Sequence, residues 1–169
     1  NSAAFLKVGV GARQVALGSA VTSLSGDVTN MFWNPAGIAL FDQTAQVSFT
    51  HNNWIAGLNQ EAVAASYNLA EIGVGFMSFG ISGIPAERHN GYADPALQSQ
   101  VIDNLTTPTY DYQDLLVQVS YSRYVTDNLS LGASAKYINE KIDDVSASAV
   151  GFDIGAEDAA TAAVLDDIG

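Results

Sequence analysis

The sequence lacks cysteine altogether, and it has few prolines and few basic residues. Its 169 residues include 0 Cys, 4 Pro and only 6 Lys and Arg, against 18 Asp and Glu, which gives a formal net charge of −12. Without cysteine there is no disulfide framework, no thiolate metal site and no thiol nucleophile. Because so few cations are present to neutralise phosphates, the sequence predicts no nucleic-acid partner and argues against electrostatic docking to anionic lipid.

Long hydrophobic runs are missing as well. No stretch approaches 18 consecutive apolar residues, which excludes a membrane-spanning helix. Charged residues make up 14% and hydrophobic residues 48% of the chain, so it is not a disordered acidic tail, and its length suits a single domain over residues 1–169. The chain opens at Asn1 with neither Met nor a basic, apolar leader. We therefore expect an exported protein whose signal peptide has been removed.

From about residue 43 onward, hydrophobic and polar residues alternate with period two, which predicts β-strands. Six segments show this pattern: 43–50, 59–69, 72–84, 112–125, 129–142 and 146–156. Most are longer than the roughly 5–6 residues that are usual in soluble sheets, and they fit the ~9–11 residues of a tilted transmembrane strand. Within 72–84 the bulky residues change phase after Phe76, which predicts a bulge.

The predicted connections alternate in length. Those at 68–71 and 126–128 are short, whereas those at 52–58, 85–111 and 139–145 are longer. Short turns on one side and long loops on the other are typical of outer-membrane barrels. A soluble β-sandwich or a lipocalin-like barrel also alternates, and the pattern alone leaves that alternative open. Strand length favours the membrane.

The predicted fold is therefore all-β, an antiparallel outer-membrane-type barrel of about 6–8 long strands. Residues 1–42 do not alternate cleanly and are interpreted as an N-terminal plug or cap, with a short helix over Val15–Leu24. Strands occupy residues 43–156. The acidic tail, residues 157–169, contains an alanine run that favours a short helix.

The sequence contains no catalytic constellation, so we expect no enzyme activity, no cofactor and no metal. Gly9-Val10-Gly11 begins like a dinucleotide fingerprint, but Gln14 stands where the third glycine belongs. His51 and His89 are isolated. The acidic pairs, Asp143-Asp144, Glu157-Asp158 and Asp166-Asp167, lack EF-hand spacing, which favours a solvated surface over Ca²⁺ binding.

Two further features allow a structural reading. Most aromatic residues other than phenylalanine lie near predicted strand ends, either as a membrane-interface girdle or as ordinary core residues: Trp33, Trp54, Tyr92, Tyr110, Tyr112, Tyr121, Tyr124 and Tyr137. Arg13 lies in an apolar, glycine-rich stretch. We expect it to pair with Asp27 and so to staple the N-terminal segment.

An ordered set of motifs fills the first forty residues: Gly11-Ala12-Arg13, then Gly18, then Asp27, then Trp33-Asn34-Pro35-Ala36-Gly37. In order and spacing they resemble the N-terminal signature of the PorV/PorQ-like family of bacterial outer-membrane proteins. Residues 151–156 resemble a strand motif of the same family. The resemblance implies a barrel akin to the long-chain fatty-acid transporter type with the N-terminal segment in its lumen, and type IX secretion components as candidate partners. It implies structural roles, not catalytic ones, for Gly11, Arg13, Gly18, Asp27, Trp33, Asn34, Pro35 and Gly37.

Six strands are fewer than the eight of the smallest closed transmembrane barrel, so the strand count predicts open edges that pair with neighbouring copies. The sequence thus predicts a non-enzymatic outer-membrane-type barrel with a structural, anchoring or secretion-associated role and with membrane lipid as a candidate partner. The alternative is an extracellular subunit, a homo-oligomer or polymer that self-assembles through its strand edges and termini into filaments or tubes.

Overall fold

One antiparallel sheet organises the protein. The computed structural model describes residues 3–24, 26–41, 43–67, 71–85 and 109–158. The strands follow one another in space as they do in sequence, from β1 to β6, and every neighbouring pair is antiparallel. Their bounds are β1 Ala45–Asn53, β2 Asn59–Tyr67, β3 Ile72–Pro85, β4 Thr109–Tyr124, β5 Leu129–Ile142 and β6 Val145–Asp158.

The residues before β1 form short helical pieces that pack on one face of this sheet. Three of them are 3-10 helices, η1 Ala4–Lys7, η2 Val28–Phe32 and η3 Pro35–Leu40, and one is an α-helix, α1 Ala12–Ala16. A further 3-10 turn, η4 Ile55–Gly57, connects β1 to β2. We call residues 3–41 the N-terminal segment, the sheet face beneath it the inner face, and the opposite face the outer face.

The predicted all-β antiparallel fold is confirmed, and each predicted strand is present with its ends displaced by three residues or fewer. Closure is not seen, because β1 and β6 are the two edges of an open six-stranded sheet in the described part of the chain. The predicted helix over Val15–Leu24 is instead α1 and a following turn. Glu157 and Asp158, placed in the tail, belong to β6, and the remainder of the predicted tail lies outside the described residues.

The predicted alternation of connection length is wrong at one position. The connection expected at 139–145 consists of Asp143 and Asp144 alone, because both flanking strands continue to this turn. Asp143 takes a left-handed conformation (φ 54°), and Asp tolerates that region better than most residues. Strand pairing through Ile142 and Val145 therefore closes a tight hairpin where the polar side chains indicated a loop.

The predicted bulge after Phe76 is also wrong, and packing explains the phase change that indicated it. Gly73 and Gly75 face inward, in the same row as the buried side chains that follow them in β3. A Cβ on Gly73 would lie 2.8 Å from Ile38 Cδ1, and one on Gly75 would lie 2.8 Å from Phe32 Cε1. Bulky residues are therefore excluded from this part of the inner face because the N-terminal segment fills the space.

The irregularity in β3 lies nearer its end. The register against β4 shifts between Ile81 and Ile84. Gly83 lies within this shift with a φ of 73°, a conformation that glycine adopts without a steric penalty. Its N–H donates to Asp111 Oδ1 at 2.9 Å, which ties the irregular stretch to the start of β4.

Two buried clusters join the N-terminal segment to the sheet. The first combines Phe5 and Val10 with residues of β2, β3, β4 and β5, among them Met77 and Leu116. The second joins Met31, Ile38 and Phe41, with Val28, to Ala64 of β2. The core of the protein is thus formed between this segment and the inner face, and no second sheet contributes to it in the described residues.

Candidate functional site

The inner face of the sheet is rich in polar side chains that are buried beneath the N-terminal segment. The strands direct them inward at every second position, as a pleated sheet requires. The fully or nearly fully buried ones are Gln60 and Ser66 of β2, Asp114, Gln118, Ser120 and Ser122 of β4, Ser130 and Ser134 of β5, and Glu157 of β6. A buried polar group costs free energy unless it is hydrogen-bonded, so this face needs partners in the segment that covers it.

Several of those partners are backbone carbonyls of the N-terminal segment. Gln118 Nε2 donates to Met31 O at 2.8 Å, and Ser130 Oγ donates to Ala36 O at 3.0 Å. In a third bond, Gln60 Nε2 donates to Val8 O, next to η1, at 3.3 Å. Three strands therefore bind the segment through polar side chains, which fixes its position more specifically than apolar contact alone.

Asn34 makes the most connected contact of this interface. Its Oδ1 accepts from Ala36 N at 3.1 Å and so caps η3, for which Asn is a preferred residue. Its Nδ2 donates to Thr22 O at 2.7 Å and to Ala156 O at 3.2 Å. Pro35 follows at the first helical position, where its missing N–H costs nothing. One side chain thus begins a helix, braces the segment and binds β6.

Two strand glycines make room for this helix start. A Cβ on Gly132 would lie 2.4 Å from Ala36 N, and one on Gly155 would lie 2.0 Å from Asn34 Oδ1. Both distances are far below van der Waals contact, so only glycine fits beneath η3. Sequence reasoning missed these two positions, although a glycine inside an alternating strand is itself a signal of close backbone approach.

The predicted motif residues Trp33 and Gly37 lie in the same region. Trp33 is half-buried, and its Nε1–H donates to Val10 O at 3.1 Å. Gly37 is buried, and a Cβ there would lie 3.1 Å from Glu157 Oε2. The motif Trp33–Gly37 therefore contacts both the early part of the N-terminal segment and the last strand.

Gly11 and Gly18 have positive φ values of 91° and 68°, which explains why the motif has glycine at both. A Cβ on Gly11 would also lie 2.0 Å from Gln14 Oε1. Gln14 is buried and donates through Nε2 to Thr29 Oγ1 at 2.8 Å and to Asn30 Oδ1 at 2.7 Å. This network ties α1 to η2 inside the N-terminal segment.

Asp27 acts as a helix cap. Its Oδ1 accepts from Thr29 N and from Thr29 Oγ1, both at 2.8 Å, and so caps η2. The expected ion pair with Arg13 is not among these bonds, and Arg13 is exposed on α1. Capping suits a carboxylate at a helix start, because it satisfies backbone N–H groups that would otherwise lack partners.

The outer face has the opposite character. Its outward side chains are apolar over the middle of every strand, and most are exposed. The exposed fraction is large on both edge strands, with 78% for Phe49 of β1 and with 77% for Phe152 and 88% for Ile154 of β6. The pairing register aligns this row across the sheet: Phe49 with Val63, Phe76, Val117, Tyr137 and Val150. We call the apolar middle of the outer face the apolar band.

Outward charges lie toward the strand ends. No charged residue interrupts the apolar band in the described strands; the outward charged side chains are Glu61, Asp111, Arg123, Lys141 and Asp158. The aromatic residues divide between the faces, since Tyr67, Tyr121 and Tyr137 are exposed on the outer face whereas Trp33 packs within the N-terminal segment. Tyr92 and His89 lie outside the described residues.

The inner face also carries charge. Lys136 Nζ lies 2.5 Å from Asp153 Oδ2, which in turn accepts from Ser134 Oγ at 3.0 Å. Asp114 accepts from the Tyr112 hydroxyl, and it is paired in register with Glu140. Glu140 accepts from the backbone N–H of Ala3. These bonds hold polar groups between sheet and segment without forming a nucleophile–base arrangement.

A cleft of about 50 Å³ lies between the N-terminal segment and the sheet, lined by residues that include Leu6, Trp33, Leu116 and Lys136. This volume exceeds the space that a single ordered water needs and is far below that of a ligand pocket. Within the described ranges, no group of three or more His, Asp or Glu could hold a metal ion. The acidic pair Asp166-Asp167 lies outside them.

Among the residues that the structure describes, no helix has both the length and the apolar character needed to cross a membrane.

Comparison with known proteins identifies a family without a characterised function. The sequence model of the uncharacterised protein family UPF0164 matches residues 2–168. The match covers nearly the whole chain, so the protein belongs to this family. No curated protein matches it.

The resemblance to the PorV/PorQ-like family is therefore wrong, because the family that matches the chain is UPF0164 and nothing links the protein to PorV/PorQ. The structure explains why the motifs misled. Gly11, Asp27, Asn34, Pro35 and Gly37 cap short helices, turn the backbone or allow close packing. Such requirements recur wherever a short helical segment packs on a sheet, so these residues report local geometry and do not identify a family.

Proposed function

We propose that this member of the UPF0164 family is a non-enzymatic β-barrel protein of the outer-membrane type, with its apolar band in contact with lipid. The N-terminal segment lies in the lumen as a plug, and the role is structural or anchoring. We do not propose a secretion-associated role, because only the PorV/PorQ resemblance implied it. The observation that carries the proposal is the distribution of polarity between the two faces of the sheet.

In water, a sheet with one covered face places apolar side chains on the covered side and polar ones on the solvated side. Here the outer face is apolar, and the covered inner face combines an apolar core with many buried polar side chains. Gln118 and Ser120 are buried under the N-terminal segment, whereas Val119 between them and Tyr121 beyond them are about half exposed on the outer face. Transmembrane barrels alternate in this way, apolar toward lipid and polar toward the lumen.

The extent of the apolar band also supports lipid contact. It crosses all six strands without a charged residue, whereas soluble monomers rarely expose contiguous apolar patches of more than a few hundred Å². Water would leave the side chains of Phe49, Phe152 and Ile154 more than three-quarters exposed. A hydrocarbon environment removes that cost.

Barrel closure is part of the proposal. A transmembrane barrel has at least eight strands, and backbone groups in lipid must all be paired. Strands in addition to the six described must therefore pair with the edges of β1 and β6. Because six is an even number, a strand that continues the antiparallel pattern after β6 runs in the direction of β1, so copies inserted the same way can pair β6 with β1.

The test is insertion into phosphatidylcholine vesicles. The full chain, folded in their presence, should float with them in a density gradient, remain bound after an alkaline carbonate wash, and protect its strands from protease. The same preparation without vesicles should aggregate or require detergent. Recovery as a soluble monomer without lipid or detergent would contradict the proposal.

A second candidate function follows from the same two edges. Unpaired strand edges are templates for pairing with other chains, and an exported subunit could polymerise through them into filaments or tubes. This alternative predicts detergent-free pelleting and regular filaments by negative-stain electron microscopy. Flotation with vesicles and the absence of filaments would exclude it.

A further inference from the structure

The loop between β1 and β2 exposes apolar side chains outside the apolar band. Trp54 is 43% and Ile55 is 76% exposed. Trp54 N donates to Leu58 O at 2.7 Å, and Ala56 and Gly57 take left-handed conformations with φ of 58° and 79°. The loop is therefore a tight, hydrogen-bonded tip that exposes the apolar side chains of Trp54 and Ile55.

The apolar band covers only three outward positions on each of β1, β2 and β3, and the tip joins the first two of these strands. On β5 it covers five outward positions, Leu129 to Tyr137, about 26 Å at roughly 3.3 Å per residue. On β1 it covers three, Ala45, Val47 and Phe49, about 13 Å by the same measure. At a strand tilt of roughly 40°, these lengths correspond to about 20 Å along the barrel axis on β5 and about 10 Å on β1, so β1 falls much further short of a lipid-facing band about 25 Å tall.

The tip adds the apolar height that β1 lacks. From Ala45 to Trp54 the chain extends about 30 Å, which is about 23 Å along the barrel axis at a strand tilt of roughly 40°. Between the band and the tip lies Glu61, whose Oε1 is 2.5 Å from His51 Nδ1 across the strand pair. A hydrogen-bonded partner lowers the cost of placing this carboxylate near the membrane surface.

We propose that Trp54 and Ile55 anchor the β1–β2 hairpin in the interfacial layer of a phospholipid bilayer, at the level of the glycerol and headgroups. The indole combines an apolar ring with an N–H donor, which suits this layer. Tyr67 and Tyr121 mark the corresponding level at the other end of the strands, where both are about half exposed. This inference rests on the proposed barrel and adds the depth at which it lies.

The experiment uses the two tryptophans of the chain as depth reporters. Trp33→Phe leaves Trp54 as the sole tryptophan, and Trp54→Phe leaves Trp33 in the N-terminal segment. Each full-length variant is inserted into phosphatidylcholine vesicles that carry bromine at acyl carbons 6,7 or 11,12. Trp54 fluorescence should be quenched about twofold more by the shallow bromines than by the deep ones, whereas Trp33 should be quenched by neither.

A third variant separates failure of the anchor from failure of the barrel. Phe76→Trp, in a chain with both native tryptophans replaced by Phe, places a reporter in the middle of the apolar band, where the deep bromines should quench it most. Quenching at position 76 without quenching of Trp54 would overturn the anchor alone. No quenching at position 76 in vesicle-bound protein would overturn the barrel as well.

A second label protects the test against misfolding of the Trp33→Phe variant, which loses the bond to Val10 O. The chain has no cysteine, so Ile55→Cys can be labelled at a single site with an environment-sensitive fluorophore while Trp33 stays in place. The label should show the same preference for shallow bromines. Emission typical of water, with no quenching, would overturn the anchor.

Discussion

Asn34 Oδ1 occupies the place that a side chain on Gly155 would need, because a Cβ built on that glycine would lie 2.0 Å from the oxygen. The N-terminal segment and the last described strand are therefore fitted together at atomic contact. The same oxygen accepts the N–H of Ala36. Moving it to relieve a clash would uncap η3.

The first prediction concerns this fit. Gly155→Ala should lower the free energy of unfolding by about 2–3 kcal/mol, because overpacking at a well-filled contact costs this much. Urea unfolding of the lipid- or detergent-bound protein measures it. Gly151→Ala is the matched control on the same strand and face, where a Cβ would meet only Lys136 Cβ at 3.9 Å. Equal stability of the two variants would show that η3 does not seat on β6 in this way.

The second prediction removes the side chain on the other side of that contact. Asn34→Ala loses the cap on η3 and the bonds to Thr22 O and Ala156 O, so we expect a loss of about 2–3 kcal/mol in the same assay. Asn59→Ala loses an exposed bond to Gly57 O and should cost less than about 1 kcal/mol. A loss at Asn34 no larger than at Asn59 would contradict its role as the main link between segment and sheet.

The third prediction tests whether the apolar band faces lipid or water, because an added charge destabilises the protein only if this face is in lipid. Phe152→Arg should destabilise vesicle-inserted protein by about 2–4 kcal/mol, because an arginine near the bilayer midplane costs this much. Ser148→Arg, on the same strand and face but outside the band, should cost about 0–1 kcal/mol. Unfolding by urea in phosphatidylcholine vesicles measures both. If the face were solvated, Phe152→Arg would be neutral or would increase solubility.

The fourth prediction concerns the ion pair on the inner face. Lys136 and Asp153 lie 2.5 Å apart, and their side chains are 15% and 42% exposed. A double-mutant cycle with Lys136→Met and Asp153→Asn should give a coupling free energy of about 1 kcal/mol, reduced at ~0.5 M salt. A coupling near zero would mean that the two groups are solvated separately, as many surface pairs are.

The strands could be predicted from the sequence because alternation is a local property. Residues such as Val117 and Gln118 face opposite sides whatever lies further along the chain. The Asp143–Asp144 turn could not, because two acidic residues after a polar strand end indicate a loop as readily as a tight turn. Its length is decided by pairing between Ile142 and Val145.

The candidate site could be predicted only in part. The sequence indicated that Asn34, Pro35 and Gly37 are structural, because Asn, Pro and Gly are residue types that commonly cap helices or form turns. It did not indicate that Gly132 and Gly155 receive them, because this depends on which strand lies beneath η3. The same limit applies to Asp27, whose capping of η2 depends on its contact with Thr29.

The contact between Asn34 and Ala156 joins residues 122 positions apart, and this separation has a consequence for the order of folding. The bond cannot form until β6 exists and has paired with β5. A sheet that lacks its sixth strand leaves the Asn34 amide without this acceptor. The N-terminal segment precedes the strands in the chain, but it can therefore reach its final position only late in folding. Its final packing requires all six strands to be in place.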